Sequence, residues 1–304
     1  MKFDKTKAIY LSLGAAVTTI ILKFTAYFLT GSVGLLSDAL ESIVNLVGAA
    51  AVLIALTIAG RPADRTHTYG HSKAEYFSSG LEGGLILIAA LTIGWAAINR
   101  LLHPAPVEGL GLGIAVSLAA TLVNFVVARI LLRVSKKEDS IALEADGKHL
   151  MTDVVTSVGV VLGLILVLLT GWLWLDSVVA LGVAANIIFE GTKLVQRSTE
   201  GLMDQALPPE EETLIRQTIE KAIAPYQTNQ VTYHGLRSRK SGSTRFIDLH
   251  LLVPGQWTVD YAHELAEAVE RDLCAQFKDV EALTHLEPIE DPRAFGDSWE
   301  DVKH

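Results

Sequence analysis

Four stretches of this sequence hold side chains that bind metal ions, at spacings that let them act together. The first is His149-Leu-Met-Thr-Asp153, an imidazole and a carboxylate four residues apart. On a helix both lie on one face, one turn apart. The pair opens the uncharged run 154–170. A carboxylate costs roughly 2.5–3.5 kcal/mol near the centre of a bilayer, so an ionisable pair at the mouth of such a run needs a reason. It is either a helix-entry pair at the membrane surface or half of a metal site. The second stretch, Asp38-Ala-Leu-Glu41-Ser-Ile-Val-Asn45, lies in another apolar run. Asp38, Glu41 and Asn45 fall at i, i+3 and i+7, one stripe of a helix, and Glu41/Asn45 repeats the spacing of His149/Asp153. Two such helices face to face supply four ligands in a roughly tetrahedral cage, which favours the metal-site reading. Glu82 and Lys23 also fall within apolar runs and read as paired residues or the lining of a water-filled cavity.

The third stretch, Asp64-Arg-Thr-His67-Thr-Tyr-Gly-His71, gathers two histidines and an acid in one short loop. Asp64, His67 and His71 suit a three-ligand site with room for water, or are simply solvated loop groups. The fourth group is His234, His250, His263 and His285, which come from different predicted elements and meet only if the fold brings them together. The single cysteine, Cys274, rules out an intrachain disulfide and a thiolate zinc cluster.

These groups must be held by a chain of 304 residues that is 50% hydrophobic, with mean hydropathy +0.36. Such a balance fits a membrane bundle joined to a polar domain. Residues 1–200 carry 15 basic and 15 acidic side chains, and residues 201–304 carry 10 and 19, so the whole net charge of −9 sits in the last third. An acidic soluble part argues against nucleic acid and suits cationic partners. Hydropathy predicts six spans, about 8–29, 34–58, 78–101, 109–132, 149–170 and 174–196, each long enough for ~30 Å of hydrocarbon. The first follows a basic start and is too long for a signal-peptide core. Lys and Arg crowd the N-terminus, the loops after spans two and four, and the end of span six, which predicts both termini in the cytoplasm. Trp172 and Trp174 suit an outer aromatic belt. Gly80/Gly84 is a spacing that permits close helix packing. Beyond Asp204 the order reads helix from Pro208, strands 230–239 and 245–253 joined by Lys240-Ser-Gly-Ser243, helix 258–277 and strand 280–287. That is an αββαβ sandwich. The expected domains are 1–204, 205–289 and a frayed acidic tail, 290–304.

The sequence resembles the cation diffusion facilitator family over residues 8–288. The carrying motifs are Gly34-Leu-Leu-Ser-Asp-Ala-Leu-Glu-Ser-Ile-Val-Asn45, Pro62-Ala-Asp-Arg-Thr-His-Thr-Tyr-Gly-His-Ser-Lys-Ala-Glu75, His149-Leu-Met-Thr-Asp153 and Leu202-Met-Asp-Gln-Ala-Leu-Pro208. The resemblance implies an α-helical membrane protein, a six-helix bundle followed by a ferredoxin-like, metallochaperone-like cytoplasmic domain. It implies a homodimeric metal/proton antiporter, multi-pass in the lipid of the cytoplasmic membrane. By the same resemblance Glu41, Asn45, His149 and Asp153 form the transport site, and Asp64, His67 and His71 a loop site. His234, His250, His263, His285 and Glu287 form a cytoplasmic site, and Lys73 with Asp204 an interlock between protomers. The second span departs from the family: Glu41-xxx-Asn45 stands where the family offers His or Asp with Asp. Asn is a poor zinc ligand, and Asp38 is an alternative donor one turn earlier. Zinc is the expected cargo, with Fe²⁺, Mn²⁺, Co²⁺ and Cd²⁺ open.

The functional expectation is a proton-coupled exporter of divalent metal with metal sensing in the cytoplasmic domain, and not an enzyme. A metal sensor that has lost transport is the alternative. An intramembrane metallohydrolase is disfavoured, because His263-Glu-Leu-Ala-Glu267 lacks the second histidine of a hydrolase motif.

Overall fold

The computed structural model describes residues 4–30, 33–103, 112–172 and 174–295. They divide into two units, Met1–Glu200 and Gly201–His304. The first holds six long helices: α1 (Lys5–Thr30), α2 (Val33–Ala59), α3 (Ala74–Leu102), α4 (Leu112–Glu138), α5 (Ile141–Thr170) and α6 (Trp174–Leu202). Its polarity is the reverse of a water-soluble bundle. Ile54, Ile88, Leu91, Trp95 and Leu122 are exposed, while Asn45, Glu82, Asn124, Asp146 and His149 are buried. That arrangement is costly in water and favourable in lipid, where apolar side chains face the acyl chains and polar ones must find each other. Among the described residues four helical stretches are long and apolar enough to cross a membrane: Lys5–Thr25, Ala74–Leu102, Leu118–Glu138 and Ser177–Leu202. A shorter apolar stretch, Asn45–Ala59, belongs to α2.

Several helices outrun their predicted spans. α4 ends at Glu138 rather than 132, α5 starts at Ile141 rather than 149, and α6 runs to Leu202 rather than 196. Hydropathy marks only the apolar part of a helix, and these extensions are polar. Glu144 on α5 accepts from Arg197 on α6 (2.6 Å), and Lys148 lies 3.4 Å from both Glu144 and Glu190. Nearby, buried Glu75 on α3 accepts from Lys5 Nζ on α1 (2.8 Å) and from Ser140 Oγ just before α5 (2.5 Å). These contacts tie α1, α3, α5 and α6 together where the chain enters and leaves the apolar zone. One apolar cluster joins α1, α2, α4 and α5 through Ile9, Val52, Leu131, Leu143 and Leu150. A second joins α3, α5 and α6 through Ile86, Ala90, Ala145, Ile187 and Leu194. α3 and α6 meet at Gly80 and Gly83, where an added Cβ would lie 2.9 Å from Ser198 Oγ and 2.8 Å from Val195 Cγ2. Gly84, the predicted partner of Gly80, faces open space.

The second unit runs α7 (Pro209–Ile223), a 3₁₀ turn (Ala224–Asn229), β1 (Thr232–Ser241), β2 (Thr244–Val253), α8 (Val259–Gln276) and β3 (Val280–Pro288). The sheet order is β1-β2-β3, with β1 antiparallel and β3 parallel to β2. Alternation along β2 divides its faces. Ile247, Leu249, Leu251 and Val253 share one core with Ile215, Ile219 and Ile223 of α7 and Leu265, Val269 and Leu273 of α8. Asp248 and His250 therefore point to the opposite face. Thr258 caps α8 by accepting from Tyr261 N (3.2 Å). Residues 290–295, the start of the tail expected to fray, are folded back onto the unit. Ile289 N donates to Val253 O (2.9 Å), and a 3₁₀ turn at Pro292–Phe295 buries Ala294. Asp291, held down to about pKa 2 by the Arg293 guanidinium, fixes that turn. Residues 296–304 of the expected tail lie outside the described residues.

The core assignment has a direct test. Leu251→Ala empties a site with 0% exposure and should destabilise the second unit by about 2–5 kcal/mol. Leu283→Ala, at a side chain 66% exposed on β3, should cost less than about 0.5 kcal/mol. Hydrogen exchange of the β2 amides in the full-length protein reads both.

Candidate metal sites

The bundle brings the second and fifth helices together where the sequence places their polar pairs. Asn45 Nδ2 on α2 donates to Asp153 Oδ2 on α5 at 2.5 Å. Asn45 Oδ1 lies 2.8 Å from His149 Nε2. Asn45 and His149 are each 6% exposed. Asn45 thus stands between the two α5 groups, its amide oxygen toward the imidazole and its amide nitrogen toward the carboxylate. Three donors converge here: an amide oxygen, an imidazole nitrogen and a carboxylate. The side chains of Glu41 and of the alternative donor Asp38 lie outside the described residues.

Three further polar residues border this cluster. Asn124 on α4 donates to Asp153 Oδ2 at 3.4 Å. Glu82 on α3, 1% exposed, places Oε2 3.3 Å from His149 Nδ1. Asp146, 2% exposed, is buried one turn before His149. Glu82 was expected to pair or to line a cavity, and the structure sets it beside the histidine. Asp146 and Asn124 were not anticipated. A signal for Asp146 existed: Asp146, His149 and Asp153 fall at i, i+3 and i+7, the same stripe as Asp38, Glu41 and Asn45. Hydropathy leaves Asp146 outside the span, which it starts at 149, whereas α5 begins at Ile141.

The loop between α2 and α3 closes on itself. Asp64 Oδ1 accepts from Thr66 N (2.8 Å), Thr66 Oγ1 (2.8 Å) and His67 N (2.7 Å). Asp64 N donates back to His67 O (3.1 Å). This Asx-type turn presents His67 and His71 to the same carboxylate, with Asp64 oxygens 3.6 Å from His67 Nδ1 and 3.4 Å from His71 Nε2. The Thr66 hydroxyl, and after it the His67 and Thr66 amides, hold the Asp64 carboxyl well below the usual carboxylate range. It is therefore charged at any physiological pH, as a ligand must be. One candidate donor atom from each of the three residues lies within 4.8 Å of the others. The two oxygens of Asp64 divide the work, Oδ1 shaping the turn and Oδ2 facing His71.

In the second unit the strand register lines up three histidines. His234 pairs with His250 across β1/β2, and His250 with His285 across β2/β3. Neighbouring rings sit 5.1 Å apart. Glu287, two residues beyond His285 and so on the same face, lies 2.9 Å from His234 Nε2, 3.2 Å from His250 Nδ1 and 3.6 Å from His285 Nε2. His234, His250 and Glu287 offer donors mutually within 4.8 Å. A bulge between His234 and Arg237 gives Gly235 φ +60°, a value that disfavours side-chain-bearing residues, and lets the backbone pass beside the His250 ring. Burial pushes the His250 imidazole below its ordinary value, although Glu287 pulls the other way. The neutral ring this favours is the form that binds metal.

His263 does not join them. It sits on α8, which packs on the other face of the sheet, and its side chain is 61% exposed beside Glu267 (3.7 Å). The expected four-histidine set is therefore three histidines and Glu287 within one chain. Of the expected interlock, Lys73 precedes α3 and belongs to the first unit, while Asp204 belongs to the second and lies 3.3 Å from Arg239.

Comparison with known proteins agrees with this division. The family model "cation efflux transmembrane domain" matches residues 9–203, and "cation efflux protein, cytoplasmic domain" matches residues 208–289. An uncharacterized transporter from Synechocystis is 52% identical over 285 residues, covering 94% of this chain and 91% of that protein. The cation-efflux pump FieF from Shewanella oneidensis is 32% identical over 279 residues, covering 92% of each. A solved structure of CzrB in its zinc form is 35% identical, covering 28% of this chain and 92% of that one, with a TM-score of 0.26.

The two roles of Asp64 can be separated. Asp64→Asn keeps an oxygen for the Thr66 and His67 donors and replaces the other with an amide. It should leave the melting temperature of the full-length protein unchanged while weakening zinc binding at the loop by roughly tenfold or more. Asp64→Ala should lower both. Chelator-competition titration and a thermal melt read the two quantities.

Proposed function

The chain belongs to the cation diffusion facilitator family, and on that premise we propose that it exports a divalent transition metal, zinc first, in exchange for protons. It is an integral membrane metal-efflux transporter, not an enzyme. The observation that supports the reading is the buried meeting of Asn45, His149 and Asp153 between α2 and α5. A His/carboxylate/amide set suits zinc through its imidazole and leaves room for Fe²⁺, Mn²⁺, Co²⁺ or Cd²⁺ through its oxygens. Glu41 supplies the fourth donor in this reading, with Asp38 as its alternative. Loading the site requires unprotonated ligands, so the metal displaces a proton from His149 and reloading with protons expels it.

Around that site the proposed protein has six spans, both termini in the cytoplasm and the cytoplasmic membrane as its location, and it works as a homodimer. The loop cluster Asp64/His67/His71 binds metal beside the entrance. The cluster of His234, His250, His285 and Glu287 senses cytoplasmic metal, and Lys73 of one protomer engages the region of Asp204 in the other. A second reading, a metal sensor that has lost transport, is favoured by one feature. Asn45 is neutral and already bonds to both α5 ligands, a closed set that resists opening to a cargo ion.

Flux separates them. In proteoliposomes with an enclosed metal-sensitive dye, an imposed pH gradient should drive zinc through the wild-type chain in the direction opposite to proton flow, and Asp153→Ala should fall to the rate of protein-free vesicles. Wild-type flux in that variant would remove the site assignment, and zinc binding without flux in the wild type would establish the sensor. The double substitution His234→Ala/His250→Ala should abolish activation of flux by metal on the cytoplasmic side while retaining a basal rate.

A further inference from the structure

We propose that Glu82 is the positioning residue for His149: it holds the imidazole in the tautomer whose Nε2 faces the cargo ion. The inference rests on the reading of His149 as a transport ligand. The two ring nitrogens point away from each other, and each faces a different helix. Nε2 faces Asn45 Oδ1 on α2 at 2.8 Å, and Nδ1 faces Glu82 Oε2 on α3 at 3.3 Å. Metal bound on the Nε2 side leaves the remaining proton on Nδ1, the nitrogen that lies 3.3 Å from the Glu82 carboxylate. A carboxylate behind the far nitrogen of a ligating histidine fixes the ring and raises the basicity of the near nitrogen.

Two observations single Glu82 out for this work. It is 1% exposed, and neither carboxylate oxygen has a hydrogen-bond partner among the described residues, its 3.3 Å approach to His149 Nδ1 being an ion-pair contact rather than an aligned hydrogen bond. A carboxylate so buried needs a proton donor or a positive partner, and the His149 ring is the group the structure sets against it. Room for it is made by Gly48 on α2, one turn after Asn45. A Cβ there would lie 2.5 Å from Glu82 Oε1 and 3.1 Å from its carboxyl carbon. α2 thus supplies a donor at Asn45 and a slot at Gly48, and α3 reaches through that slot to the back of the imidazole. Two helices grip one ring on α5 from opposite sides.

The test uses full-length protein in which the loop and sheet clusters are removed by His67→Ala, His71→Ala, His234→Ala and His250→Ala, so that zinc titrates the bundle alone. Glu82→Met, apolar and of similar length, should weaken zinc binding by roughly 10–100-fold. Glu82→Gln, which retains an acceptor oxygen, should recover most of that loss. Gly48→Ala, which displaces the carboxylate without altering it, should reproduce the loss if Glu82→Met fails to fold. With histidine 15N labelling, the zinc-loaded protein should show a protonated Nδ1 and a metal-bound Nε2 for His149, and this signature should be lost in Glu82→Met. In a His149→Ala background Glu82→Met should have no further effect on affinity. Affinity within about twofold of wild type in both Glu82→Met and Gly48→Ala would overturn the proposal, as would an equal loss in the His149→Ala background. Asp153→Ala is the control for the underlying reading. Undiminished affinity in that variant would mean that the bundle site itself is misassigned, a result distinct from an intact site that ignores Glu82.

Discussion

A polar atom placed inside an apolar bundle is costly unless another meets it, and that pressure shapes how the membrane helices fit together. Leaving a buried amide donor or acceptor unmatched costs about 1–3 kcal/mol. Asn45 carries one of each and satisfies both on α5, its oxygen toward His149 and its nitrogen toward Asp153. Sliding α5 by one residue would break both bonds at once, so this side chain fixes the register of α2 against α5. It also moderates the local charge. Asp146, Asp153 and Glu82 all approach this region, and a second carboxylate at position 45 would add repulsion in a medium that screens little.

The three candidate sites share a device and differ in surroundings. In the loop, one carboxylate serves two imidazoles, Asp64 facing His67 and His71. On the sheet, Glu287 serves His234, His250 and His285. Both clusters are open enough for water to complete a coordination shell, so their supporting structure is light: an Asx turn in one and strand register in the other. The bundle site has no such freedom. Its ring bonds to Asn45 and lies beside Glu82 on another helix, and its carboxylate accepts from Asn45 and Asn124. The extent of support follows the depth of burial.

Much of this was legible in the sequence, because both repeating geometries leave a mark. The i, i+4 spacing of His149 and Asp153 requires a shared helix face, and the αββαβ order of the second unit follows from apolar alternation and turn residues. What sequence spacing cannot carry is which helices touch. Glu82 is isolated in its own span and becomes interpretable only when α3 lies against α5. Asp146 was hidden by a boundary: hydropathy starts the fifth span at 149, whereas the helix begins at Ile141, its polar first turns held by the ion pairs of Glu144 and Lys148. His263 stands apart from the row within one chain for the converse reason. Its residue type suited the cluster, but amphipathic α8 must turn Leu265, Val269 and Leu273 to the sheet, and this turns His263 outward on the opposite side from the histidine row.

The neutral amide at position 45 then has a consequence for turnover. A transporter must release its cargo as well as bind it, so a site of maximal affinity defeats export. Four charged or strongly basic donors around a divalent ion in a low-dielectric interior would hold it tightly, since Coulomb attraction between close charges grows as the dielectric falls. Replacing one anionic donor by an amide removes a full unit of attraction while keeping an oxygen in place. The same amide carries a donor nitrogen, which bonds to Asp153 at 2.5 Å. A departure from the usual ligand set that weakens binding is, on this reasoning, what lets the bundle let go.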